Sequence, residues 1–585
     1  MAQRKITDWL PTSKKETEAR GWKELDVILF SGDAYVDHPS FGAAVIGRIL
    51  EAEGLRMAIV PQPNWRDDLR DFRKLGVPRL FFAVSAGSMD SMVNHYTAHK
   101  RLRSNDAYTA GNVAGFRPDY AVTVYTQILK KLFPDVPVVI GGIEASLRRL
   151  THYDYWQDRL QPSILVDSRA DLLVYGMGEH AIRSVAHHLQ TGKRMEELTE
   201  LPQTAYLSKN LPATNHHDIL LHPFEDCVAN KRKFAENFRK TETESNKRCA
   251  ARLIEPVAGK YVVVNPPEYP QDEKQVDAAF DLPYTRLPHP RYQDKHIVAF
   301  EMIKYSVNIH RGCFGGCSFC TISAHQGKFI ACRSEKSIIR EVEQVIRMPG
   351  FKGYLSDLGG PSANMFGMKG KDPALCERCS RYSCIYPRIC RQLDAGHGRL
   401  LSLYRKIRNM DGIRKVFIGS GIRYDLLLDA NGFISKEHAE YFRELLQHHV
   451  SGRLKVAPEH TSPKVLKAMR KPSFDLFMKL NDEFHKIDRA GNLRQQLIPY
   501  FISSHPACEE ADMKELSVTI RNMRMHCPEQ VQDFTPTPMT LSSVMFYCGF
   551  DPYSGEKIHV TRKKEDKQKQ KQYFFRGKPE GTAKK

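Results

Sequence analysis

The sequence predicts an α/β protein of two successive units, a doubly wound parallel-sheet domain followed by a partial (β/α) TIM-type barrel. Three observations carry this. Short apolar runs alternate with helix-period stretches from residue 25 to about residue 190, the pattern breaks in a polar and then proline-rich stretch, and it resumes after residue 296. Strand–loop–helix alternation implies parallel strands joined by right-handed crossovers. A chain of 585 residues is also longer than one core ordinarily serves.

In chain order, Leu25-Asp-Val-Ile-Leu-Phe30 reads as a buried strand. A loop with His38-Pro39-Ser40 follows, then a helix whose apolar positions are Ala44, Ile46, Ile49 and Leu50, stopped by Gly54. Met57–Val60, Leu80–Val84, Val138–Ile140 and Leu172–Tyr175 continue the strand series. Small or flexible clusters close four of these strands: Ser31-Gly32-Asp33, Ser85-Ala86-Gly87, Gly141-Gly142-Ile143-Glu144 and Gly176-Met177-Gly178-Glu179. Doubly wound sheets take their ligands at such carboxyl ends. The expected connector, 226–295, opens with a basic polar helix and holds one strand, Tyr261–Val264. Pro266, Pro267, Pro270, Pro283, Pro288 and Pro290 then favour an extended path over a neighbouring domain. The barrel is expected over 296–560, with strands at Tyr305–Ile309, Gly353–Ser356, Val416–Ile418, Leu454–Ala457, Leu497–Phe501 and Val531–Phe534, and a helix around Ile338–Ile346. Domain one is thus 1–225, and 561–585 reads as a basic flexible tail.

Composition narrows the function classes. The net charge is +19, and residues 562–585 carry ten Lys and Arg against three acids, a tail that could meet RNA or be a solvated terminus. Tyr573, Phe574 and Phe575 are aromatics that could stack on bases. No run approaches the roughly 18 apolar residues of a membrane span, and no apolar stretch follows the first residues, so a cytoplasmic chain with no membrane partner is expected. Thirteen cysteines in uneven clusters suit metal ligation in a reducing compartment better than a disulfide framework.

The densest chemical signal is His310-Arg-Gly-Cys313-Phe-Gly-Gly-Cys317-Ser-Phe-Cys320, directly after the first barrel strand. Three thiolates on one compact loop can hold three irons of a 4Fe–4S cubane, and Gly312, Gly315 and Gly316 let the loop wrap closely. The fourth iron, without a protein ligand, can chelate the amino and carboxylate groups of S-adenosylmethionine. Electron transfer into the sulfonium then gives methionine and a 5′-deoxyadenosyl radical that abstracts hydrogen from a substrate. Structural zinc ordinarily takes paired C-x2-C units and four ligands; Cys332, twelve residues on, is the nearest fourth thiol.

The C-x3-C-x2-C spacing, with Phe319 before its last cysteine, resembles the signature of the radical SAM superfamily. Asp357-Leu-Gly359-Gly360-Pro361 resembles the superfamily's turn against the methionine amino group, with proline in place of an acidic residue. Gly419-Ser420-Gly421-Ile-Arg423 and Ala457-Pro458-Glu459-His460 resemble its ribose and carboxylate contacts. The resemblance therefore implies Phe319, Gly359, Gly360, Ser420, Arg423 and Glu459 as cofactor-binding residues. It narrows to the YgiQ family on Gly32-Asp33-Ala-Tyr-Val-Asp-His38-Pro39-Ser40, Asn265-Pro266-Pro267-Glu-Tyr-Pro270, Asp357–Asn364, Lys455–His460, Leu497–Ile502 and Phe534–Pro538. What that implies is a radical SAM enzyme of unidentified substrate, with a reductant such as flavodoxin or ferredoxin as partner. A non-catalytic iron–sulfur carrier or RNA-binding protein is the competing class.

Two further sites stay open at the level of sequence. Cys376, Cys379, Cys384 and Cys390 could bind zinc or an auxiliary iron–sulfur cluster, or be unligated thiols. The first domain resembles cobalamin-binding-like Rossmann domains. However, the Asp-x-His-x-x-Gly motif that supplies a lower cobalt ligand is absent, since Asp37 abuts His38, so a bound cobalamin would lack that ligand.

Overall fold

The computed structural model describes residues 4–429, 431–523, 525 and 531–574. The first unit is built on a nine-stranded sheet. Its parallel part comprises β1 (Val27–Ser31), β2 (Met57–Pro61), β3 (Phe81–Ser85), β4 (Val138–Gly141) and β5 (Leu172–Val174), in the order β2-β1-β3-β4-β5. Side-chain alternation makes the two layers. Leu29, Ala83 and Val139 bury against helices Gly42–Ala52 and Glu179–Gln190, while Ile28, Phe30, Phe82 and Ile140 bury against helix Ala121–Leu132. The strand order reverses between β1 and β3, where a doubly wound sheet opens its ligand crevice.

The sheet continues past β5 with Thr204–Ser208, Lys260–Val264 and Leu253–Val257, successive neighbours all paired antiparallel, and then Ile219–Leu220. Part of the expected connector is therefore sheet. Leu253–Val257 escapes a sequence reading because Pro256 interrupts its apolar run, and a proline argues against an inner strand. The basic stretch forms helix Lys231–Ser245, and a second helix, Glu273–Phe280, fits between Pro270 and Pro283. The proline-rich path then ties the units together. Asp37 accepts from Thr285 N at 2.8 Å, and the buried Arg286 pairs with Glu341 of a barrel helix.

Among the described residues the second unit has six parallel strand positions in sequential order, as in a partial (β/α) barrel. Ser306–Asn308 pairs with Asp357–Gly359, and Tyr354–Leu355 of the same second position pairs with Lys415–Val416. Ile422 bridges Val456, Arg453–Glu459 pairs with Gln496–Ser503, and that strand pairs with Val531–Asp533. Helices Glu335–Ile346, Gly398–Arg408, Lys436–Glu444 and Phe474–Gly491 cover its outside over one apolar core that includes Val307, Leu358, Val416 and Val456. The expected flexible tail is corrected as far as residue 574. Helix Lys564–Gln572 docks through buried Lys567, whose Nζ donates to Tyr155 Oη at 2.9 Å, and Gln570, whose Oε1 accepts from Ser504 N at 2.9 Å. Tyr573 and Phe574 pack against the core around Val465 and Phe501 and so are not free for base stacking; Phe575 lies outside the described residues. No helix among the described residues is long and apolar enough to cross a membrane.

Candidate active site

The first barrel strand delivers the chain into the cysteine loop. His310–Arg311 pairs antiparallel with Ala331–Cys332 and closes the loop at its neck, and Cys313 N donates to Gly327 O at 3.1 Å. Gly312 stands at φ +84°, and a Cβ there would lie 2.1 Å from Phe329 O, so the neck admits only glycine. At Gly316 (φ +64°) a Cβ would lie 2.6 Å from Tyr382 O. Ser323 Oγ donates to Cys313 O at 2.9 Å, and Ser318 N donates to Met469 O at 3.1 Å.

The three thiols of this loop feel one another. Burial pushes Cys320 up to about 12, and the neighbouring Cys317 and Cys313 add to it; Cys313 is raised by burial and by Cys317. Among the described residues no three His, Cys, Asp or Glu side chains already converge as a metal-ligand set. The loop holds its thiols near one another without meeting at a point. The donor set fits an iron–sulfur cluster: three half-buried thiols, a glycine-rich wrap, and a cation on one sulfur. Arg423 Nη1 lies 3.1 Å from Cys317 Sγ, and Asp425 fixes the same guanidinium at 2.9 and 2.5 Å. Burial opposes the Arg423 charge, but Asp425 and Cys317 hold it protonated well above its usual range.

The other sequence-derived positions fall around this loop in different ways. Gly359 O accepts from Ile309 N at 2.8 Å, and a Cβ on Gly360 would lie 2.4 Å from the buried His310 ring. Ser420 Oγ donates to Asp357 Oδ2 at 2.6 Å, and Gly419 N to Asp357 Oδ1 at 2.9 Å, so Asp357 ties the second strand end to the third. Glu459 is buried at φ +68°, its pKa raised by burial, 3.7 Å from Lys471 and within electrostatic reach of Cys320 and Arg423. Phe319 stands edge-on to His505, with ring centroids 6.1 Å apart, within an apolar cluster. Sequence reading missed Asp357 and Asp425. A carboxylate two residues after Arg423 was the available signal for the second.

A small pocket borders Cys317, Cys320 and Ser323. It shares Ser245, Ser323 and Ala324 with a crevice between the units, which shares Gly176, Arg311, His325 and Gln326 with a pocket at the carboxyl ends of β1, β3 and β4. Both domains hold this wall. Arg311 pairs with Glu179, and His325 Nδ1 lies 3.1 Å from Ser146 Oγ. His38 does not line the crevice. Its Nδ1 accepts from Ser40 N at 3.0 Å, and burial keeps the ring neutral.

The family model described as "Radical SAM N-terminal" matches residues 9–306, and a domain of unknown function, DUF3362, matches residues 529–579. A UPF0313 protein of Bacteroides thetaiotaomicron is 60% identical over 99% of this chain and 96% of its own length. The UPF0313 protein YgiQ of Escherichia coli is 43% identical over 96% of this chain and 82% of its own length. Among solved structures, the radical S-adenosylmethionine methyltransferase TsrM from Kitasatospora setae, with cobalamin and a [4Fe-4S] cluster bound, is 13% identical with a TM-score of 0.48, over 88% of this chain and 74% of that one.

Proposed function

The chain belongs to the YgiQ (UPF0313) family of radical SAM proteins, and from that premise we propose that it is a radical SAM enzyme whose cluster is held by Cys313, Cys317 and Cys320. The observation that carries the reading is the placement of this triplet. It lies on a glycine-wrapped loop at the carboxyl end of the first strand of a parallel partial barrel, beside a pocket whose lining residues Ser245, Ser323 and Ala324 also line the interdomain crevice. A bound cluster of this kind, reduced by a flavodoxin- or ferredoxin-like donor, supplies the electron that cleaves S-adenosylmethionine to methionine and a 5′-deoxyadenosyl radical.

The residues of the chain do the orienting. Arg423 places a positive charge on the Cys317 sulfur, and Asp425 fixes the angle of its guanidinium. The backbone carbonyl of Gly360 is the candidate acceptor for the methionine ammonium, since Gly359 O already accepts from Ile309 N and Pro361 leaves no side-chain acid at the turn. The Glu459 carboxyl and the Ser420–Asp357 pair stand on the following strand ends as candidate contacts to the same ligand. Arg311 and His325 form the face that the cysteine loop turns toward the first domain, and the substrate is placed in that crevice. The test is anaerobic reconstitution followed by reduction with S-adenosylmethionine present. 5′-Deoxyadenosine is expected, and its absence from a fully loaded protein would favour a non-catalytic iron–sulfur carrier.

A further inference from the structure

The second cysteine group lies on an excursion that has no core of its own. Residues 371–392 leave and rejoin the barrel through a two-stranded ribbon, Lys369–Gly370 against Leu393–Asp394. Between its strands the chain holds only the five-residue helix Pro373–Glu377. Loops this long without their own secondary structure are uncommon in compact domains. This one is packed directly on the cluster loop, and its Cys384, Ile385, Ile389 and Cys390 join a small apolar cluster with Phe314, Met365 and Met368. Cys384 N donates to Phe314 O at 3.1 Å, and the buried Ser383 hydroxyl lies 3.0 and 2.9 Å from Phe314 O and Gly315 O.

Three features point to a further tie beyond that apolar contact. The excursion carries Cys376, Cys379, Cys384 and Cys390, each within electrostatic reach of others of the set. Gly370 makes room for one of them, since a Cβ there would lie 2.2 Å from Cys376 Sγ. The third is a buried lysine beside them. Lys328 is 2% exposed, and its Nζ donates to Arg381 O at 2.6 Å, between Cys379 and Cys384 in the sequence. Burial drives this lysine toward its neutral form, and the groups whose charge would favour its ammonium are Cys384, Cys379 and Cys376. Neutral thiols do nothing to hold it charged, whereas four thiolates on a divalent ion, with two negative charges in excess, would.

We propose that Cys376, Cys379, Cys384 and Cys390 form a second metal centre, a closed tetrathiolate zinc site that staples this excursion against the cluster loop, with Lys328 as its buried counter-charge. Four thiolates serve a closed zinc site or an iron–sulfur cluster alike, and the C-x2-C unit Cys376–Cys379 favours zinc. Its ligand geometry forms with the ion, as zinc binding couples to the ordering of small loops. The role is one of position. The excursion's carbonyl at Tyr382 limits the approach to Gly316, so a collapsed excursion would loosen the loop of Cys313, Cys317 and Cys320.

The experiment removes the first centre so that its failure cannot mimic failure of the second. In the variant Cys313→Ala/Cys317→Ala/Cys320→Ala, zinc and iron are measured by mass spectrometry after dialysis. About one zinc per chain is expected, released on titration of thiols with p-hydroxymercuribenzoate and followed with the chromophore 4-(2-pyridylazo)resorcinol. Because that release is read on the folded chain, it stands even where Cys379→Ser/Cys384→Ser fails to fold. Lys328→Met in the same background is expected to lose zinc to a chelator roughly tenfold faster, the usual scale for a group supporting metal ligands. A triple variant with native circular dichroism and no zinc overturns the site. Iron with cluster absorption in its place overturns the zinc assignment, and zinc release unchanged by Lys328→Met overturns the counter-charge.

Discussion

At the scale of single residues the site depends on one guanidinium. Arg423 contacts Cys317 Sγ and is fixed by Asp425, so it places a positive charge beside the cluster's sulfur ligands. At an effective dielectric of about 20 and a separation of about 6 Å, a unit charge counts for ~2–3 kcal/mol. Reduction adds negative charge. Arg423→Met is therefore expected to move the cluster's midpoint potential to more negative values by on the order of 100 mV, read by redox titration of its paramagnetic signal; an unshifted potential would detach Arg423 from the cluster. Gly316 makes the second residue-scale prediction. A methyl there meets a backbone oxygen at 2.6 Å from a left-handed conformation, so Gly316→Ala should lower the iron bound after reconstitution. The cysteines were legible in the sequence because ligand spacing on one loop is a local property. Asp357 was not, because its meaning lies in Gly419 and Ser420 of the next strand, more than sixty positions away.

At the scale of elements, most strands were legible because buried parallel strands are continuous apolar runs bounded by glycine or serine. The strand Leu253–Val257 was hidden by Pro256, and it carries an unusual buried acid. Glu255 is 1% exposed and accepts from Thr151 N at 2.9 Å; burial pushes its carboxyl up to about 7, against that hydrogen bond. A carboxyl raised on folding contributes stability that is complete below its unfolded value and lost as pH climbs toward 7. Glu255→Gln keeps the acceptor without the charge. It is expected to leave stability near pH 4 little changed and to raise it at pH 8 by about 2 kcal/mol, measured by urea unfolding at both values. A variant less stable than the parent at pH 8 would refute the assignment.

At the scale of the whole molecule, the two units meet around the cysteine loop. The division into a doubly wound sheet and a partial barrel was legible from the interrupted alternation. The docking of the connector and of helix Lys564–Gln572 was not, because Lys567 and Gln570 look like any polar helix face until Tyr155 and Ser504 are placed beside them. Arg311 pairs with Glu179 across the boundary, two residues before Cys313, both of them buried. Breaking such a pair from one side costs about 3–5 kcal/mol. Arg311→Met should lower the unfolding midpoint accordingly, and Arg311→Met/Glu179→Gln should cost less than the two single changes added together; strict additivity would show that the pair does not join the domains. The central claim is narrower than any of these: three protein thiolates leave one iron open to S-adenosylmethionine. It is tested most directly by electron–nuclear double resonance on the reduced protein with S-adenosylmethionine labelled with 15N at its amino group. A 15N coupling to the cluster, lost in Cys313→Ala/Cys317→Ala/Cys320→Ala, is the predicted result. A loaded cluster whose spectrum is unchanged by S-adenosylmethionine would contradict it.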